Sequence, residues 1–465
     1  MPWRESIEPV RMSRVAILAP AENLRDVLVE VAGRGTTELE VAAEAGAGPA
    51  TRTLARVSVA EGAEPHLARS APDLDALAAA GRADLIAGEA QLEERCAAAV
   101  SRGSVAGVLG WAPTEDVPGL VEALSPYGGA VVPLATPRGV DTPSLLHSKG
   151  RLNRSLAPLV DTYATVPYND LDPTVVAGAA YAVMFGMMFA DAGHGLLLLA
   201  GGLLLRAGRL GPLSGLHRVW PFVVGSAVMA IVFGILFGEF FGPTGVLPVL
   251  WFNPLDDPIL LLTVAIGVGA CLLAGAYVIG TANRWREGGW RLALVSTSGV
   301  AGIVVFLSLG LLALGAFTGL GWLLAAGGLV GVGGMVLAYI GLYAASGGGG
   351  AGAAQAGVEL FDGVIRLGTN VISFARLAAF GLAHAALGAV IWDGTTSLWA
   401  AGGLALLAAV ALFVVGNALT FTLEGVVAGV QALRLEYYEL FSRIFVSEGR
   451  PFRPWAIPTT EERVP

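Results

Sequence analysis

Lysine is almost missing from this chain: Lys149 is the only one among 28 basic residues. A P-loop needs Gly-Lys followed by Ser or Thr, and Lys149 sits in LLHSKGRLN with its glycine on the wrong side. If the protein takes part in ATP chemistry, another chain binds the nucleotide. Cysteine is scarce too. Cys96 and Cys271 fall in different parts of the chain, so neither a disulfide framework nor a paired thiol site is expected. Charge is short throughout: 14% of residues are charged, against ~25% in soluble domains, and the mean hydropathy is +0.68. The net charge of −9 argues against a nucleic-acid partner. No pattern asks for a cofactor or a metal, and VAILA near the N-terminus is too short for the apolar core of a signal peptide.

The charge deficit is uneven. Residues 1–165 read as a small α/β domain with a short helical arm, and charges thin out beyond 174, so residues 166–465 are expected to form a polytopic helical membrane domain. RVAILAP (14–20) has the make-up of a buried strand, followed by a helix from near Glu22 and a second strand at TTELEVA (36–42). VAGVLGWAP (105–113), a helix over EDVPGLVEALSPYG and a strand at AVVPLA repeat the pattern, giving one or two lobes. Between them, residues 73–101 read as one Ala-rich amphipathic helix, either a soluble packing helix or a coiled-coil arm. Pro143, Pro158, Pro167 and Pro173 mark residues 140–172 as a linker, and SGGGGAGAAQAG (346–357) reads as a flexible loop.

A spanning helix needs ~20 mostly apolar residues. Such stretches lie at 219–241, 258–281, 293–317, 320–344, 358–392 and 398–445. The stretch 174–205 is either one helix of ~48 Å or, with a reversal at the glycines of DAGHG (191–195), two short spans near 170–190 and 194–209. The second option makes eight spans. RAGRLGPLSGLHR (206–218) and NRWREGGWR (283–291) are basic, with Arg284 and Arg286 as topology anchors, while the loops at 238–258 and 392–394 carry only acid. Basic loops stay in the cytoplasm, so eight spans put both termini there; seven put them on opposite sides.

The last two apolar stretches hold the chemistry. Arg376, in SFARLAAFGLAHAA (373–386), lies ~25 Å from either end of its segment, too deep to reach the headgroups. An arginine at mid-membrane costs ~2.5–3.5 kcal/mol on insertion scales and marks function by default. His384 suits a proton relay, or is a neutral imidazole satisfied by a carbonyl. Glu424 is functional or a static ion-pair partner of Arg376. Arg434 joins them or marks the cytoplasmic end of its helix. Asn370, Ser373, Asn417, Thr420 and Thr422 line a wet channel or pack helices. Asp191, His194 and Glu239 shape an outer vestibule, or Asp191–Gly193 is a plain turn.

Several strings together resemble a known family. AVMFGMMFADAGHG (182–195), FGEFFG (237–242), SFARLAAFGLAHAALGAVIW (373–392) and LEGVVAGVQALRLEYYELFSRIF (423–445) are similar to the membrane-embedded a subunit of V/A-type rotary ATPases, called subunit I in archaea and bacteria. The N-terminal RMSRVAILAPAENLRDVLVEVAGRGTTELE and VPYNDLDPT (166–174) resemble the same family. The most specific signal is RLxxxxLAHA combined with EGxxxxxxALRLxxxE. The resemblance implies eight spans and a place for Arg376 facing the carboxylates of a proteolipid rotor ring. It implies roles for His384, Glu424 and Arg434 in proton passage or in supporting that arginine. It also implies peripheral-stalk subunits and, indirectly, a catalytic head as partners, and a prokaryotic plasma membrane as the location. The ion is not carried over. The family's long coiled-coil arm is strongly shortened here. Two other classes compete: a secondary transporter, which usually carries internal repeats that are not visible between 174–281 and 293–445, and a scaffold that has lost transport.

Overall fold

The computed structural model describes residues 8–40, 48–57, 64–137, 140–146, 151–208, 217–445 and 448–460. Lys149, Arg209 with most of the basic 206–218 segment, and the end of the 36–42 segment lie outside them. The chain divides into two compact units: Pro9–Leu146 with the segment from Gly449 onward, and a larger one built chiefly of His147–Glu448.

The smaller unit is α/β. Strand β1 (Met12–Pro20) buries Val15, Ile17 and Ala19 on one face, as period-two alternation dictates. Helix α1 (Leu24–Arg34) lays Val27, Leu28 and Val31 in the same core. The remaining strands are β2 (Glu38–Leu39), β3 (Leu67–Ala68), β4 (Val100–Arg102), β5 (Val105–Pro113), β6 (Ala130–Leu134) and β7 (Thr459–Thr460). The main sheet runs β2-β5-β1-β6 with β4 on β5, every pair antiparallel. The two strand-and-helix passages of the sequence therefore share one sheet and make one lobe, because β1 pairs with β5 along its whole length. The strand at 36–42 shrinks to two described residues. Glu40, next to it, accepts from Arg14 and from Trp111 Nε1 (2.9 Å).

Helices α2 (Pro49–Arg56), α3 (Leu74–Ala79), α4 (Ala83–Ala97) and α5 (Val117–Leu124) complete this unit. The single helix expected over 73–101 is split at Gly81, whose φ of +69° only glycine adopts freely. Both halves pack into cores rather than projecting as an arm. Trp455 and Ile457, from the far end of the chain, are buried with β1 and α1, and β7 pairs in parallel with β3. Gly88 on α4 leaves no room for a side chain, since a Cβ there collides with the His66 carbonyl. Gly88→Ala should destabilise this unit by about 1–3 kcal/mol, seen as faster hydrogen exchange of the α4 amides in the full chain. Unchanged protection would show the contact to be slack.

The larger unit is helical: α6 (Arg151–Asp161), α7 (Thr174–Met188), α8 (Ala192–Arg206), α9 (Trp220–Phe237), α10 (Pro258–Val295), α11 (Val300–Thr318), α12 (Gly321–Ala345), α13 (Gly349–Ser373), α14 (Ala375–Ala401) and α15 (Ala405–Leu435). Six stretches among the described residues are long and apolar enough to cross a membrane: α9 from His217, α10, α11, α12, the run α13–α14, and α15 continued to Ile444. Helices α7 and α8 have 15 residues each, or ~22 Å. Two of the eight expected spans thus reach only about three-quarters of the ~30 Å hydrocarbon core, and α7 is a mostly buried core helix.

The reversal between α7 and α8 is not made by glycine. Gly193 and Gly195 lie inside the first turn of α8, and the chain turns at Phe189–Asp191 because Asp191 caps the helix. The glycines serve close packing instead: Gly193 faces the Phe241 ring and Gly195 faces Ile231 on α9. The loop expected over 346–357 is only a short turn. Helix α13 begins at Gly349, whose N–H donates to the Tyr343 hydroxyl (3.1 Å). The basic 283–291 stretch lies within α10, which is interrupted at Gly288 and Gly289. Arg284 there is no surface anchor. It is buried against Asp170 (3.9 Å) and ion-paired with Glu287, while Arg286 reaches Glu8 (2.9 Å).

Candidate functional site

Arg376 is the second residue of α14, three residues after α13 ends at Ser373, with the buried ring of Phe374 at the junction. Phe374 lies directly on Gly269 of α10, where any larger residue would push it away. The Arg376 guanidinium donates from Nη2 to Glu439 Oε1 at 3.4 Å, and its Nη1 has no hydrogen-bond partner among the described residues. Glu439 sits on a π-helical turn, Glu436–Phe441, that continues α15. Such wide turns are rare and gather at functional sites. Glu436 on the same turn is fully buried, and neither carboxylate oxygen has a hydrogen-bond partner among the described residues. A cavity of about 620 Å³ opens beside this group, lined by Ser373, Arg376, Val430, Leu433, Arg434, Tyr437, Tyr438 and Glu439. Arg376 is therefore a half-satisfied cation at an opening between two long helices. Its unpaired Nη1 is buried, so a small turn of the side chain toward the opening would offer it to a second carboxylate, and charge-assisted pairs of this type are the strong ones.

A second cluster forms ~12 Å further along α14. His384 is 4% exposed. Its Nδ1–H donates to the Glu424 carboxylate, the tautomer that such an acceptor selects. Its Nε2 lies 4.0 Å from Asp191 Oδ2, which in turn lies 3.7 Å from His194 Nδ1. Asp191 is held by three backbone donors, the N–H groups of His194 (2.9 Å), Phe241 (3.0 Å) and Gly242 (2.8 Å). To deliver the last two, the FGEFFG loop puts Phe241 at φ +50°, the only non-glycine residue with positive φ among those described. That conformation is strained for an aromatic residue and tends to occur where function demands it. Gly242 follows at φ +88° and packs on the backbone of Gly388 in α14. Glu239 joins through its carbonyl, which accepts from Ala192 N (3.0 Å), and its Oε2 is buried without a hydrogen-bond partner among the described residues. Phe189, Phe241 and Phe421 wall the two imidazoles at ring distances of 5.3–5.8 Å, so little water screens these charges.

The structure brings Asp191, His194, Glu239, His384 and Glu424 together, and separately Ser373, Arg376 and Arg434. It does not pair Arg376 with Glu424: the arginine takes Glu439, and Glu424 takes His384. Asn417 and Thr420 are buried at i−7 and i−4 from Glu424, on the same face of α15. Asn417 also donates to the Phe413 carbonyl (2.9 Å). Asn370 belongs to neither cluster; with its amide turned end for end it bridges the Arg366 carbonyl and Arg443. Thr422 is exposed and bonded back to Ala418. Sequence reasoning named neither Glu436 nor Glu439 as a site residue, although Glu439 closes the motif EGxxxxxxALRLxxxE. The available signal was two acids three residues apart in an aromatic frame, EYYELF.

Fold and site together define a polytopic helical membrane protein whose longest helices enclose paired opposite charges. Residues 96–209 match the model of the V-type ATPase 116kDa subunit family. The chain is 27% identical over 75% of its length to the A-type ATP synthase subunit I of Pyrococcus horikoshii, covering 53% of that protein. It is 29% identical over 72% of its length to the A-type ATP synthase subunit I of Aeropyrum pernix, covering 55% of it. Over a shorter stretch, 29% of this chain, it is 33% identical to the V-type ATP synthase subunit I 2 of Treponema pallidum, of which 32% is covered. The chain thus spans about half the length of the archaeal relatives it matches.

Proposed function

We propose that the chain is the stator membrane subunit of a V/A-type rotary ATPase, forming two ion half-channels and presenting Arg376 to the carboxylates of a rotating proteolipid ring. The observation that carries this reading is the half-satisfied Arg376 at the opening beside Val430 and Tyr438. A rotor carboxylate crosses lipid protonated, because a bare carboxylate is too costly there. Beside Arg376 the opposite charge favours the carboxylate, and the proton leaves. Arginine stays charged at any physiological pH, so it separates the two half-channels and ties net transport to rotation. The cluster of Glu239, His194, Asp191, His384 and Glu424 serves the outer half-channel, and the cavity at Arg434 and Glu439 serves the inner one. Each proton brings ~2.3 kcal/mol per 100 mV of membrane potential.

In this reading the chain resides in the plasma membrane of a prokaryote with both termini cytoplasmic. The small α/β domain, bounded near residue 165, then faces the peripheral stalks and, through them, the catalytic head. Crosslinking tests the central contact. With Cys96 and Cys271 replaced by serine, Val430→Cys should form a disulfide with a cysteine placed beside the rotor carboxylate, whereas Leu329→Cys on α12 should not. Both positions are exposed in the isolated chain. Equal crosslinking from the two, or from Leu329→Cys alone, would sink the proposed interface.

A further inference from the structure

We propose that Asp191, His194 and His384 form a binding site for a zinc-type transition-metal dication, and that the bound ion closes the outer half-channel. The second clause rests on the reading of that path given above. The three side chains are all buried, and one ligand atom from each lies within 4.8 Å of the other two. His194 is 2% exposed, and among the described residues its ring nitrogens make no close hydrogen bond, only a looser approach to the Asn417 backbone and the Asp191 carboxylate at 3.7 Å. A dry imidazole so weakly satisfied beside a carboxylate is favourable ground for a cation between the two.

The tautomer of His384 supports the assignment. Glu424 occupies its Nδ1, which leaves the Nε2 lone pair aimed at Asp191. A carboxylate behind a ligating histidine fixes the ring and raises its basicity, as in many zinc sites. Asp191 is itself fixed by its three backbone donors. Two nitrogens and one carboxylate oxygen with a fourth position open suit zinc, and suit calcium or magnesium poorly. With bonds of ~2.0–2.1 Å, tetrahedral ligand atoms sit roughly 3.3 Å apart. The present separations of 3.7 and 4.0 Å close to that by small ring rotations. Asp191 and Glu424 supply two negative charges to offset the ion. The spacing of Asp191 and His194 forms no metal motif, and His384 is remote in sequence, so only the fold exposes the set.

Purified full-length chain in detergent should take up one zinc, and Co(II) in its place should give the intense visible bands of a tetrahedral site. His194→Ala should weaken uptake at least tenfold. His194→Cys should retain the ion and add a thiolate-to-cobalt charge-transfer band, which also shows that the variant is folded. No stoichiometric uptake at submillimolar zinc, uptake undiminished in His194→Ala, or a His194→Cys protein without the thiolate band each overturns the site. Zinc added to the outer face of vesicles carrying the assembled complex should slow wild-type proton flux, and a chelator added afterwards should restore it. Stoichiometric binding without any effect on flux overturns the channel-closing clause and the outer-path reading, and leaves the site standing.

Discussion

Arg376→Lys in a fully assembled complex should lose coupled proton transport almost completely. Truncating one partner of a buried, hydrogen-bonded charge pair costs about 2–5 kcal/mol, and each 1.36 kcal/mol is tenfold in rate, so the loss is on the order of thirtyfold or more. Lysine restores the charge but not the fork. Arg376 uses Nη2 on Glu439 and keeps Nη1 for a second acceptor, whereas a desolvated ammonium is a single point that can shed its proton. ATP-driven acidification of vesicles is the measurement, with assembly checked by co-purification because Glu439 would be left buried beside a poorer partner. A lysine variant that pumps at the wild-type rate would end the stator-arginine reading. Arg376→Ala separates the rivals: a scaffold leaves flux unchanged, while a half-channel barrier loses coupling.

The second large effect belongs to His384 and Glu424. Their hydrogen bond lies among aromatic rings, so removing either partner strands the other in a poorly screened site, at roughly 1–3 kcal/mol for a neutral group and more for a charge. His384→Ala and Glu424→Gln should each cut proton flux at least tenfold. The double variant should do little worse than either single one, since residues acting as a unit are strongly non-additive. If the two losses simply multiply, the pair is not one relay. Flux is read in the same vesicles, with ATP hydrolysis by the complex followed in parallel.

The residues most legible in the sequence were those whose setting made them expensive. Arg376, His384 and Glu424 stand out because apolar helices penalise ionisable groups, and that penalty needs no tertiary information. Their pairing was not legible. The choice between Glu424 and Glu439 as partner of Arg376 depends on the π-helical turn at Glu436–Phe441, where one extra residue per turn rotates the following side chains out of α-helical phase. The same turn hides Glu436 and Glu439 in a stretch that reads as the polar end of a helix. Asp191 was legible as a vestibule residue or a plain turn but not as a clamped carboxylate, because its three donors come from its own helix and from a loop 50 residues away. At the fold level, strand and helix types followed from periodicity. The merging of two passages into one sheet required the long-range β1–β5 register, which no local pattern encodes. The reversal at DAGHG was legible, but its glycines pack helices rather than make the turn, since tight helix contact and turning favour the same residue.

The buried Trp455 and Ile457 set an order of events during synthesis. They complete a core whose other members precede Leu146, yet about 300 residues separate the two parts of that unit. At roughly 5–20 residues per second, the ribosome needs on the order of 15–60 s to bridge the gap. All the long apolar helices emerge in that interval and must be threaded into lipid. The first-made unit therefore waits as an open sheet with part of its core uncovered, and it seals only after the last membrane helix has left the exit tunnel.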